Sequence, residues 1–126
     1  MTATKSIGRL AASVVLALAP LAVRAADVSG TWTASFETEI GTQNYTYEFS
    51  VKGTELTGVA KSDLGEVEIT EGKVDGETIT FVENASFQGM PLRISYTGTM
   101  TSADEIAFTR NVADLAMEEL VAKRVK

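Results

Sequence analysis

Apolar and polar residues alternate along most of the chain beyond residue 29. The pattern is plainest in Gly30-Thr31-Trp32-Thr33-Ala34-Ser35-Phe36, where Trp32, Ala34 and Phe36 share one face and Thr31, Thr33 and Ser35 the other. Alternation with a period of two predicts a strand with one buried face. The scheme recurs in a second strand near 43–52, with Tyr45, Tyr47, Phe49 and Val51 on one side. It continues through Leu56, Gly58 and Ala60, then Val67 and Ile69 against Glu66, Glu68 and Thr70. Three more strands follow, carrying Ile79, Phe81, Glu83 and Ala85, then Leu92, Ile94, Tyr96, Gly98 and Met100, then Ile106, Phe108 and Arg110. The segment from Val112 to Val125 reads two ways. Asp114 to Leu120 suits a helical turn, whereas Leu120, Ala122 and Arg124 alternate as a strand. A loop followed by a closing strand fits better.

Turn signals fall between these runs. Glu39-Ile40-Gly41-Thr42 predicts a loop, and Lys52-Gly53, Ser62-Asp63-Leu64-Gly65, Gln88-Gly89 and Ser102-Ala103-Asp104 predict turns. Asp75-Gly76 is a two-residue hairpin signal, because both residues tolerate positive φ. Pro91 opens its strand, where a missing N–H is tolerated. Val51-x-Gly53-x-x-Leu56-Thr57-x-Val59 is echoed by Val74-x-Gly76-x-x-Ile79-Thr80-x-Val82, as two hairpin corners of one kind would be. Eight strands on short turns predict an all-β fold, an eight-stranded antiparallel up-and-down barrel whose closure removes exposed edges. Every aromatic residue falls on the register read as inward, which argues for one enclosed core.

The first residues read differently. Lys5 and Arg9 precede an apolar stretch from Leu10 to Val23, and Val23-Arg24-Ala25 offers a small-residue cleavage site. This predicts a signal peptide over 1–25 and a single barrel domain over 26–126, with a periplasmic or secreted location. The apolar run is shorter than the roughly 20 residues needed to span a bilayer and is interrupted by Pro20, so no membrane anchor is expected after cleavage. Losing Lys5, Arg9 and Arg24 leaves eight basic residues against 17 acidic ones, a net charge of −9. An acidic surface repels phosphate backbones, so nucleic acid is not an expected partner. With no cysteine, neither disulfides nor lipid attachment at a lipobox enter the picture.

The chain resembles the calycin superfamily of lipocalins, fatty-acid-binding proteins and avidins. The residues that carry the likeness are Gly30-x-Trp32 on the first strand and Arg124 on the last. The resemblance implies that Trp32 packs at the closed end of the barrel under Arg124, both residues being structural. The chain departs from those families in its short length, its lack of disulfides and of a flanking helix, and the lack of an avidin-like binding set. It is also similar to small secreted bacterial β-rich domains of unassigned function.

Candidate chemistry is narrow. Without His or Cys there is no Ser-His-Asp triad, no Cys–His pair and no ordinary zinc site. The glycines form no phosphate loop, so no cofactor is expected. Glu66-x-Glu68 reads as a solvated outer face in preference to a calcium site, and no metal site is expected. Asn44-Tyr45-Thr46 and Asn84-Ala85-Ser86 match glycosylation sequons but read as strand composition. Glu83 and Arg110 break the pattern, because each puts a charge on an inward register. Such charges are costly unless paired, hydrated or bound. They read either as a salt bridge at the rim, bridged through Tyr96, or as the polar handle of a pocket.

The pocket expected at the upper end comprises Phe36, Tyr45, Tyr47, Glu83, Ile94, Tyr96, Arg110 and Leu120, with space left by Ala34, Ala60 and Ala85. Trp32, Phe49, Leu56, Ile79, Met100 and Phe108 are expected to pack solid below it. A barrel of this size is either filled by its own side chains or holds one small ligand. The first functional reading is an exported soluble barrel binding a small hydrophobic or amphipathic molecule, with Arg110 facing an anion. A structural or accessory interaction module is a second reading. A metal-free cyclase or isomerase using Glu83 as acid or base is a third, and no catalytic residue is assigned.

Overall fold

A computed structural model describes residues 27–126. The segment 1–25, read as a signal peptide, lies outside the described residues. The strands are β1 (Gly30–Thr38), β2 (Gly41–Lys52), β3 (Glu55–Ser62), β4 (Gly65–Asp75), β5 (Thr78–Phe87), β6 (Met90–Ser102), β7 (Glu105–Val112) and β8 (Ala116–Arg124). Each pairs antiparallel with the next, and β8 returns to β1, closing the barrel in sequence order. The fold is therefore the all-β, eight-stranded antiparallel barrel that the alternation predicts. The final segment is a strand, as its Leu120–Ala122–Arg124 alternation indicates.

Two local departures have backbone causes. The expected Glu39–Thr42 loop shrinks to a two-residue turn, because Gly41 and Thr42 join β2 opposite Thr38 and Glu37. Gly41 sits at φ 106°, a conformation that glycine adopts without strain. In β4, Glu71 takes φ 54° and the pairing slips by one residue against both β3 and β5. This bulge turns Glu71 outward, where it meets Arg93 of β6 in a two-pronged ion pair at 2.8 and 3.0 Å. It also restores the inward phase for Gly72 and Val74, and a Cβ on Gly72 would lie 2.1 Å from the Leu56 carbonyl oxygen. A bulge thus lets β4 bend around the barrel without losing its buried face.

The inward faces build one core from all eight strands. Its aromatic centre stacks Phe81 on Tyr96 at 4.2 Å and sets Phe108 edge-on to both, at 5.6 and 5.7 Å. The end formed by the start of β1 is closed. Trp32 is fully buried there, donates to the Val28 carbonyl at 2.9 Å, and lies under the Arg124 guanidinium at 4.4 Å. Arg124 in turn donates to the carbonyls of Ser29, Asp27 and Ala103, tying the segment before β1 to the β6–β7 turn.

The β1–β8 junction is the weakest seam. Its pairing is confined to Trp32↔Arg124 and Thr33↔Lys123, beside a Val125 N–H bond to the Thr31 carbonyl. Above these pairs an open cleft of about 1090 Å3 runs along the outer wall, edged by Ser35, Glu37, Glu119 and Lys123. Phe36, Tyr45 and Leu120 border it but remain more than nine-tenths covered. The cleft holds no buried charge, whereas the barrel interior behind Phe36 and Tyr45 does.

Candidate functional site

The end of the barrel away from Trp32 is built by four turns, and a cavity of about 320 Å3 opens between them. Its base is a polar cluster on inward registers: Tyr45 from β2, Glu83 from β5, Tyr96 from β6, Arg110 from β7 and Glu118 from β8. Glu83 and Arg110 are 3% and 5% exposed, so both charges sit inside the protein. Buried charges persist only with close partners, and the cluster supplies them.

Tyr45 donates to one Glu83 oxygen at 2.9 Å and Tyr96 to the other at 2.8 Å. Arg110 donates to the Tyr96 oxygen at 2.7 Å. Because the Tyr96 proton is committed to Glu83, the 3.0 Å contact between the Tyr47 and Tyr96 hydroxyls has Tyr47 as donor. The phenols therefore form a directed chain from Tyr47 through Tyr96 to Glu83. Both Glu83 oxygens act as acceptors, as a carboxylate's do.

Arg110 is gripped from several sides. Its Nη1 lies 3.8 Å from Glu83 Oε1, and its Nε lies 2.8 Å from Glu118 Oε1. The latter is an ion contact whose N–H does not point along it, so neither atom gains a hydrogen bond from it. The guanidinium carbon is 5.0 Å from the ring centroids of both Phe36 and Tyr45, and 5.4 Å from that of Tyr96. These are cation–π distances. Burial works against the Arg110 charge, but Tyr96, Tyr45 and Glu83 outweigh it and hold its pKa above the ordinary value. Burial, foremost, pushes all three phenols up: Tyr45 above its ordinary value, and Tyr47 and Tyr96 far above theirs.

Of the eight residues expected to line a pocket, four do so: Tyr45, Glu83, Ile94 and Arg110. Tyr47 and Tyr96 lie beneath the cavity, fully buried, with their hydroxyls in the phenol chain. Phe36 and Leu120 face the β1–β8 seam instead. Ala85 contributes space at the cavity, whereas Ala34 borders the seam. Gln43, Val67, Leu92, Val112 and Glu118 line the cavity without having been expected there. Gln43 and Glu118 carry a legible signal: each lies two residues before an inward residue, Tyr45 or Leu120, on the same register.

The rim has its own chemistry. Ile40, Leu64, Met90 and Leu115 each mark one of the four turns at this end, and each is at least half exposed. The three turns at the closed end, around Gly53, Gly76 and Ala103, carry Lys, Thr, Asp, Glu and Ser but no large apolar side chain. Among the described residues, no three or more Asp or Glu side chains converge as a metal ion would require. No helix among them is long and apolar enough to cross a membrane.

No family model and no curated protein matches this sequence. Similar solved structures are designed barrels. EF1p2_mFAP2b, solved bound to DFHBI, superposes with a TM-score of 0.55 at 14% identity, covering 78% of this chain and 94% of its own. A de novo designed fluorescence-activating β-barrel gives 0.54 at 21% identity, with 77% and 93% covered. A redesigned β-barrel, mFAP1, also bound to DFHBI, gives 0.54 at 13% identity, with 78% and 94% covered. At these identities the likeness is one of fold.

Proposed function

We propose that this chain is an exported, calycin-like β-barrel that binds a small, partly apolar molecule at its turn-lined end. The observation that carries the reading is a cavity of about 320 Å3 with a buried charged cluster at its base and apolar walls from Val67, Leu92, Ile94 and Val112. Small-molecule sites have this make-up: mostly apolar lining with a few convergent polar groups. A barrel filled to its rim would have no hollow above Glu83. Two barrels of similar fold, EF1p2_mFAP2b and mFAP1, are described as bound to a small molecule, DFHBI, which supports the same use of this architecture. The leader-like pattern over 1–25 supports export, and the stack of Arg124 on Trp32 supports the calycin likeness.

The test is native mass spectrometry of the full-length chain, expressed in a bacterium and collected from its periplasm. The expected species is a polypeptide beginning at Ala26 that carries a small molecule released by collisional activation. A chain retaining residues 1–25 overturns the export reading. A mature chain that carries nothing, and that takes up no amphipathic probe in titration calorimetry, overturns the binding reading.

A further inference from the structure

The charges around the cavity select among the ligands that such a site would take. Its lining holds three acidic side chains, Glu39, Glu83 and Glu118, against one cation, Arg110. That cation is committed. It contacts both buried carboxylates, donates to the Tyr96 hydroxyl and lies against the Phe36 and Tyr45 rings. An incoming carboxylate would have to displace Glu83 or Glu118 to reach it, and would meet their charge on the way.

Glu118 is the reverse case. Its side chain is 11% exposed and lines the cavity, and its Oε1 meets Arg110 Nε at 2.8 Å without the geometry of a hydrogen bond. Two carboxylates share that one guanidinium, and an N–H donor at the cavity face of Glu118 would satisfy the acceptor capacity that Arg110 leaves unmet. At the outer end, the exposed Ile40, Leu64 and Leu115 extend the apolar wall past the rim.

Resting on the binding function proposed above, we infer that the site takes an amphipathic cation with its head inward. An ammonium-type head pairs with the Glu118 carboxylate at the base of the cavity, beside Arg110, and the apolar body runs outward along Ile94 and Leu92 to Leu64 and Leu115. The acidic excess of the whole chain favours the approach of the same class of molecule. Arg110 thus serves to keep two carboxylates together in the barrel, and not to receive an anion.

The experiment is titration calorimetry of the purified protein at neutral pH with decylamine, decanol and decanoate, each below its micelle concentration. Decylamine is expected to bind more tightly than decanoate by about tenfold or more, with decanol between them. In Glu118→Gln, decylamine affinity falls and decanoate affinity rises, because Arg110 loses one of its two carboxylates. Glu68→Gln, on the outer face, leaves the preference unchanged. Amide shift mapping on the unmodified protein places the decylamine contacts at Ile94, Leu92, Leu64 and Leu115, independently of whether any variant folds. Decanoate binding as tightly as decylamine overturns the inference and leaves the binding function standing. So does an amine preference that Glu118→Gln leaves intact, or shift changes lying outside the cavity. If none of the three probes binds, the cavity is no site and both readings fall.

Discussion

The barrel sets an arginine against aromatic rings at each end, and the two differ in what their N–H groups meet. At the closed end, Arg124 lies 4.4 Å from the Trp32 ring and makes four bonds to backbone carbonyls fixed by the fold, with the exposed Asp104 carboxylate a further 3.4 Å contact. At the open end, Arg110 lies 5.0 Å from the Phe36 and Tyr45 rings and is opposed by two carboxylates. Carbonyls satisfy a guanidinium without leaving a charge behind, so the closed end is a finished latch. Two carboxylates against one cation leave Glu118, which lines the cavity, only partly satisfied. Cation–π stacking is common to both ends; the balance of acceptors separates a structural arginine from one in a site.

Truncating the latch should produce the largest effect. Trp32→Ala removes a fully buried indole and opens a cavity at the barrel floor, for an expected loss of about 3–5 kcal/mol. Denaturant unfolding monitored by circular dichroism measures it. In the unaltered protein, Trp32 emission should be blue-shifted and shielded from quenchers. A red-shifted, readily quenched spectrum in the folded state would contradict the latch.

The open end should respond less, and through charge. Arg110→Met leaves Glu83 and Glu118 buried without their cation, with an expected cost of about 3 kcal/mol, the low end for a broken buried pair because the cavity gives water a path inward. The double variant Arg110→Met with Glu83→Gln should recover part of that loss, and the double-mutant cycle reports the coupling. Equal losses in the single and double variants would mean that Arg110 acts by packing alone, and the contrast between the two ends would fail.

Alternation gives the face of each residue, and this made the barrel and its strand count legible in the sequence, whereas the meeting of Trp32 with Arg124 was implied by the likeness to calycins. Height along the barrel axis is a different quantity. It depends on strand tilt and stagger, which no period-two pattern encodes. Phe36, Tyr47, Tyr96 and Leu120 all point into the barrel, but Tyr47 and Tyr96 lie beneath the cavity and Phe36 and Leu120 beside the seam. The Glu71 bulge gives no warning either, since a non-glycine residue at φ 54° leaves no compositional mark. Glu118 was readable by register, but with the closing alternation taken from Leu120 it fell in the expected loop, whereas β8 begins at Ala116.

Alkali should act on the open end first. The protein's three tyrosines, Tyr45, Tyr47 and Tyr96, all belong to the cluster, and each has its pKa raised, chiefly by burial. The folded state keeps these protons at a pH where the unfolded chain, titrating near 10.0, releases them. Their contribution to stability is thus fully present below that value and lost as pH rises above it towards the raised folded values. Each phenol contributes a slope of about 1.4 kcal/mol per pH unit there. A spectrophotometric titration should show no phenolate until the barrel unfolds, and then all three together. A phenolate signal that grows while the circular dichroism stays native would place at least one hydroxyl in water.

Acid should test the closed end and do least. Asp104 has its carboxyl held below 3.8, by a hydrogen bond from Lys126 and then by Arg124. A depressed carboxylate contributes stability that is present above its unfolded value and lost as pH falls through the folded one. Here the contribution is small, because the group is exposed and solvent screens it. Arg124 also has the carbonyls of Ser29, Asp27 and Ala103 whatever the state of Asp104. Asp104→Asn is therefore expected to shift the unfolding midpoint by less than either variant above and to leave Trp32 emission unchanged. A red shift of that emission, in acid or in the variant, would show that the latch depends on charge after all, and would make the two arginines alike.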